Sequence, residues 1–117
     1  MSGELVARSS RQNNKRNMKA TEEQINAWKA RHGKVSEVEV KDGESVYYGY
    51  FHRPNMATMS AMMAESKRDE VKALEILFEN TVIECDDEIR NDAVVKISAM
   101  TQLGEIMGGC VAKLKNL

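Results

Sequence analysis

Only one proline and two cysteines occur among the 117 residues. Two thiols, Cys85 and Cys110, are too few for a disulfide-built scaffold, so a reducing, intracellular setting is expected. Aromatic residues make up 5% of the chain, so the core must be aliphatic and rich in methionine. No apolar run approaches the roughly 20 residues that span a bilayer. The N-terminus has no apolar stretch of the kind a secretory signal requires. Neither charge sign dominates: the net charge of −1 excludes a whole-chain description as a strongly basic nucleic-acid binder. Catalytic spacing is also missing. The only histidines, His32 and His52, have no further ligands at metal spacing, and zinc normally takes three or four. Cys85 has no orienting group beside it in sequence. Gly104, Gly108 and Gly109 precede no Lys-Ser/Thr and form no phosphate loop. No cofactor, metal or catalytic residue is therefore assigned, and the expectation is a binding or assembly protein rather than an enzyme.

What is present is organised. Apolar residues at 42% and charged residues at 30% describe a globular chain of one domain's length. Residues 1–20 stand apart. They hold Arg8, Arg11, Lys15, Arg16 and Lys19 against Glu4 alone, while the rest of the chain carries a net negative charge. With few apolar side chains, this stretch cannot offset its ordering entropy and reads as a flexible basic arm. Its five cations are candidate contacts to an acidic partner. Without an interleaved aromatic residue they give thin grounds for nucleic acid. Residues 21–117 read as a single α+β domain.

Thr21-Glu22-Glu23-Gln24 matches a capping box and predicts a helix over 22–32, closed by Gly33 after a basic last turn. Val35, Val38 and Val40 lie among charged residues, Asp42-Gly43 signals a turn, and 45–53 is rich in strand formers. A β-hairpin over about 34–53 follows, ended by Pro54. A lone hairpin is marginal in water and needs a helix or another chain to cover it. Beyond Pro54 the period changes to about 3.6. Met56, Met59, Met62 and Met63 fall within an arc of about 120°, with Asn55 or Thr58 as cap. A second helical run begins at Asp69 and carries Val71, Leu74, Leu77 and Phe78. Val82-Ile83 reads either as a short extended piece or as a continuing turn. A last helix starts at about Asp87 or Asn91, presents Val94, Ile97, Met100, Leu103, Met107, Val111 and Leu114, and bends at Gly108-Gly109. The expected architecture is a short N-terminal helix, a hairpin, then a C-terminal bundle of about three helices over 55–117. Asp86, Asp87 and Glu88 suit a helix start, where the macrodipole favours carboxylates.

The methionine stripe is the most unusual feature. Methionine is flexible and polarisable, and it recurs on surfaces that accept varied apolar partners. A helical stripe of this kind is more often core, and the sequence leaves both roles open.

Several segments together carry a resemblance. They are the helix end and strand of 29–40 (Lys-Ala-Arg-His-Gly-Lys-Val-Ser-Glu-Val-Glu-Val), Tyr-Tyr-Gly-Tyr-Phe-His-Arg-Pro-Asn at 47–55, and Ala-Thr-Met-Ser-Ala-Met-Met at 57–63. Lys-Ala-Leu-Glu-Ile-Leu-Phe-Glu-Asn-Thr at 72–81 and Asp-Asp-Glu-Ile-Arg-Asn-Asp at 86–92 follow, and then the final helix. In this order, over about four-fifths of the chain, they resemble the tail assembly chaperones of long-tailed phages. The resemblance implies a non-enzymatic protein of the host cytoplasm. Such a protein coats an apolar, helical tape-measure protein and helps recruit tail-tube subunits. It also implies protein partners; a homo-oligomer is left open, and the lack of a spanning apolar run leads to the expectation of no membrane. Side-chain chemistry then places the contact surface on Met56, Met59, Met62 and Met63 with Leu74 and Phe78. The basic arm and Gly108-Gly109-Cys110 depart from the family pattern. They keep open an alternative: a virion structural or adaptor protein that uses arm and hairpin for subunit contacts.

Overall fold

The structure, a computed structural model, describes residues 19–107 together with 112, 115 and 116. Arg8, Arg11, Lys15, Arg16, Gly108, Gly109, Cys110, Val111 and Leu114 lie outside the described residues. The fold is α+β, with five helices and a three-stranded antiparallel sheet among the described residues.

Helix α1 (Glu22–His32) begins at the expected capping box. The Thr21 hydroxyl accepts from the Gln24 amide at 3.1 Å, and the Gln24 side chain accepts from the Thr21 amide at 2.9 Å. It ends at Gly33, whose φ of 85° is open to glycine at little cost. Strands β1 (Val35–Asp42) and β2 (Ser45–His52) pair from Val35 opposite His52 to Asp42 opposite Ser45. That register leaves Gly43-Glu44 as a two-residue loop, with Gly43 at φ 64°. A positive φ at the first loop position is what tight hairpins demand.

Helix α2 (Met56–Ser66) is capped by Asn55, whose carbonyl accepts from the Thr58 amide at 2.9 Å. Helix α3 (Glu70–Thr81) is capped by Asp69, which accepts from the Val71 and Lys72 amides. The next segment settles the open alternative at Val82-Ile83. Val82–Cys85 is strand β3, paired to the far edge of β2, with Tyr50 opposite Glu84 and Phe51 opposite Val82. The register shifts between Tyr50 and Phe51, leaving Ile83 as the extra residue. The hairpin is thus not alone: β2 becomes the central strand.

The expected three-helix C-terminal bundle is corrected by this strand and by a break at Asp92. Helix α4 (Asp87–Asn91) and helix α5 (Ala93–Met107) are separate. Asp92 adopts an extended backbone, and its carboxylate accepts from the Val94 amide at 3.0 Å, starting a new helix.

The sheet's inner face supplies Val38, Val40 and Phe51 to the core. Leu77 and Phe78 of α3, Ile89 of α4, and Val95, Ala99, Met100 and Leu103 of α5 close over them. Each of these valine, leucine, isoleucine, phenylalanine and methionine side chains contributes about 1.5–3 kcal/mol by leaving water, and Ala99 less. The Phe51 and Phe78 rings meet edge to face at 5.4 Å. Helix α1 lies against the opposite, outer face through Trp28 on Tyr50 and His32 on His52, and buries none of its own residues. Among the described residues no helix is long and apolar enough to cross a membrane.

Candidate functional site

Two surfaces bear on function: the outward side of α2 and a pocket beneath α1.

Helix α2 packs on α3 and buries only Thr58 fully. Met59 and Met62 are half-buried, and Met62 reaches the core. Met56 and Met63 are 79% and 64% exposed. Seven residues of helix return to within about 20° of the same direction, so these two share one side. Leu74, also half-buried, packs against the core close to Gly104 of α5. Phe78 is corrected from surface to core: it is fully buried. Periodicity placed Phe78 on the apolar side of α3, and that side faces the sheet. The Lys96 ammonium lies 5.3 Å and the Arg90 guanidinium 6.0 Å from its ring centroid. Lys96 also approaches Glu75 and Glu79 at 3.7 and 3.6 Å, spacings of a loose surface ion pair.

The pocket has a volume of about 130 Å³ and lies between the start of α1 and the sheet's outer face. Tyr48 and Tyr50 project there together because residues two apart share a strand face. Trp28 comes from α1, its ring 5.2 Å from that of Tyr50. Lys19, Gln24, Glu84, Cys85 and Asp86 complete the lining with Ala20. Lys19 is the one arm cation among the described residues, and its ammonium lies 5.9 Å from the Tyr48 ring centroid. The arm boundary is corrected here as well. The Ala20 amide donates to the Tyr50 hydroxyl at 2.8 Å, and that hydroxyl donates to Glu37 at 2.8 Å. Residues 19 and 20 therefore belong to the folded body. Burial pushes the Tyr50 hydroxyl well above its ordinary pKa. The Ala20 amide opposes the shift, and the Glu37 carboxylate adds to it. Asp86 is buried at the pocket's edge. It binds Tyr48 twice, accepting from the Tyr48 amide at 2.8 Å and donating its own amide to the Tyr48 carbonyl at 2.9 Å.

Cys85 is half-buried, and burial pushes its thiol up against the opposing charge of Arg90. That shift favours the thiol over the thiolate. His32 and His52, separate in sequence, stack at 4.8 Å with rings 10° apart, and His52 Nδ1 lies 2.7 Å from the Arg53 carbonyl. Among the described residues no group of three or more His, Cys, Asp or Glu converges as a metal site.

The sequence holds two halves of this pocket without joining them. Trp28 and His32 are four apart on a helix, and Tyr48, Tyr50 and His52 alternate on a strand. Each set shares a face, but nothing local says that the two faces meet.

No protein-family model matches the chain, and no curated protein does. A solved structure of the uncharacterised protein rbstp2171 from Bacillus stearothermophilus is similar, with a TM-score of 0.54. The match covers 79% of this chain and 99% of that one at 19% identity. At that identity the likeness concerns the fold alone.

Proposed function

We propose that this protein is a non-enzymatic assembly factor of the tail-assembly-chaperone type. It binds an apolar helical tape-measure protein in the host cytoplasm and helps recruit tail-tube subunits. The observation that carries the reading is the side of α2 bearing Met56 and Met63, two of the five large apolar side chains left exposed among the described residues, with Val71, Val94 and Ile97. Half-buried Met59 and Met62 continue that side inward. Unbranched thioether side chains adapt to many similar helical segments without demanding one shape. Two such side chains give a contact weak enough to release when another subunit competes.

A second reading, a virion structural or adaptor protein, is favoured by one feature. Strand β1 is an eight-residue edge strand, open to strand addition by a neighbour. Its Glu37, Glu39 and Lys41 are charges of the kind that discourage such pairing.

The experiment is co-expression with the tape-measure protein, with pull-down and assay of purified particles. M56E/M63E is expected to keep its circular dichroism and melting midpoint while losing the tape-measure protein. Unchanged binding by the variant overturns the methionine contact surface, no binding by the wild-type protein overturns the chaperone reading, and recovery of the wild-type protein in particles supports the adaptor reading instead.

A further inference from the structure

We propose that the pocket beneath α1 is a cation site that receives one arginine side chain from a partner polypeptide. Size narrows the ligand first. At about 130 Å³ the pocket is well below the roughly 300–1,000 Å³ of sites for cofactors and other whole small molecules. It holds the end of one side chain. Chemistry narrows it further. Trp28, Tyr48 and Tyr50 give the pocket three aromatic rings, whose negative faces attract cations. Carboxylates stand beside them. Asp86 is buried against Tyr48, Glu37 holds the Tyr50 hydroxyl, and Glu84 lines the pocket from β3 while exposed to solvent. A planar guanidinium is the cation that stacks on rings and pairs with a carboxylate in one geometry.

The molecule itself supplies a placeholder. The Lys19 ammonium already lies over the Tyr48 ring at 5.9 Å. It is an exposed side chain on a single flexible stem, so it is displaced at little cost. A compact ammonium cannot stack as a guanidinium does, and it sets a threshold that weak cations do not pass. The site is separate from the methionines of α2, so its failure leaves the assembly reading intact.

Trp28 is the chain's single tryptophan, so its emission reports on this pocket directly. The test is titration of the full chain with N-acetyl-arginine amide, and with N-acetyl-citrulline amide as the uncharged shape control. The arginine compound is expected to give a saturable change that the citrulline compound does not. Glu84→Gln should weaken binding about threefold or more, and Tyr48→Leu at least about fivefold. Lys19→Ala should strengthen it about two- to fivefold by removing the internal competitor. Equal response to both compounds overturns the proposal, as does Glu84→Gln binding unchanged. Saturable binding of tetramethylammonium with none of the arginine compound also overturns it, assigning the pocket to small ammonium ligands. If Tyr48→Leu does not fold, the two exposed positions, Lys19 and Glu84, decide the matter.

Discussion

Replacing Phe78 with alanine separates core from contact surface. The ring is fully buried, meets Phe51 edge to face at 5.4 Å, and has the Lys96 ammonium 5.3 Å from its centroid. Truncation removes about 3–5 kcal/mol, combining lost transfer energy with the cavity left behind. Against a total of about 5–15 kcal/mol, that is a large share. At about 4 °C per kcal/mol for a domain of this size, the melting midpoint should fall by at least about 12 °C. The cycle Phe51→Leu, Phe78→Leu and the double variant should return about 0.5–1.5 kcal/mol of coupling, the worth of an edge-to-face pair beyond its buried area. The measurement is urea unfolding followed by far-ultraviolet circular dichroism. A loss below about 0.5 kcal/mol for Phe78→Ala, accompanied by lost partner binding, would refute the core assignment and restore Phe78 to the contact surface.

Two further outcomes rest on the sheet. A Cβ at Gly49 would sit 2.9 Å from Phe51 Cε1 and 3.3 Å from the Cys85 Cβ. Phe51 is locked in the core, so Gly49→Ala should cost about 1–3 kcal/mol in urea unfolding, and a neutral result would show that the ring has room to shift. Tyr50 titrates higher in the fold than in the unfolded chain, so the folded state holds its proton more tightly. Its contribution is complete below about pH 10 and is lost as pH rises through the folded value, with a slope of at most about 1.4 kcal/mol per pH unit. Tyr50→Phe should flatten alkaline unfolding by that amount, and an unchanged profile contradicts the assignment.

Much of this architecture was legible because its signals are local. The capping box at Thr21, the turn glycine Gly43, the caps Asn55 and Asp69, and the change of period after Pro54 each act within a few residues. Strand β3 was ambiguous for the opposite reason. Val82–Cys85 is four residues long, and it becomes a strand by pairing with β2 across more than thirty residues of chain. A short apolar run does not encode such a partner. The apolar spacing runs through Asp92 and disguises two helices as one, although the Asp92 carboxylate caps the second. Periodicity identifies the apolar side of α3 but not what lies opposite, so sequence alone does not separate Phe78 and Leu74 from the outward methionines. The aromatic pocket escaped because its rings come from a helix and a strand whose contact is purely tertiary.

The manner in which α1 is attached divides the molecule into two thermodynamic tiers. This helix buries none of its residues fully and is held by the Ala20 amide on Tyr50 at its start, by the Trp28 ring against Tyr50 along its length, and by stacked imidazoles at its end. The inner tier, from Val38 to Leu103, keeps its whole apolar cluster whether or not those fastenings hold. Peeling α1 away about Gly33 would thus be a sub-global opening that leaves the apolar cluster in place. The outer face of the sheet is consequently a concealed surface rather than a sealed one. Among the described residues, a ligand for that face competes with the chain's own first helix.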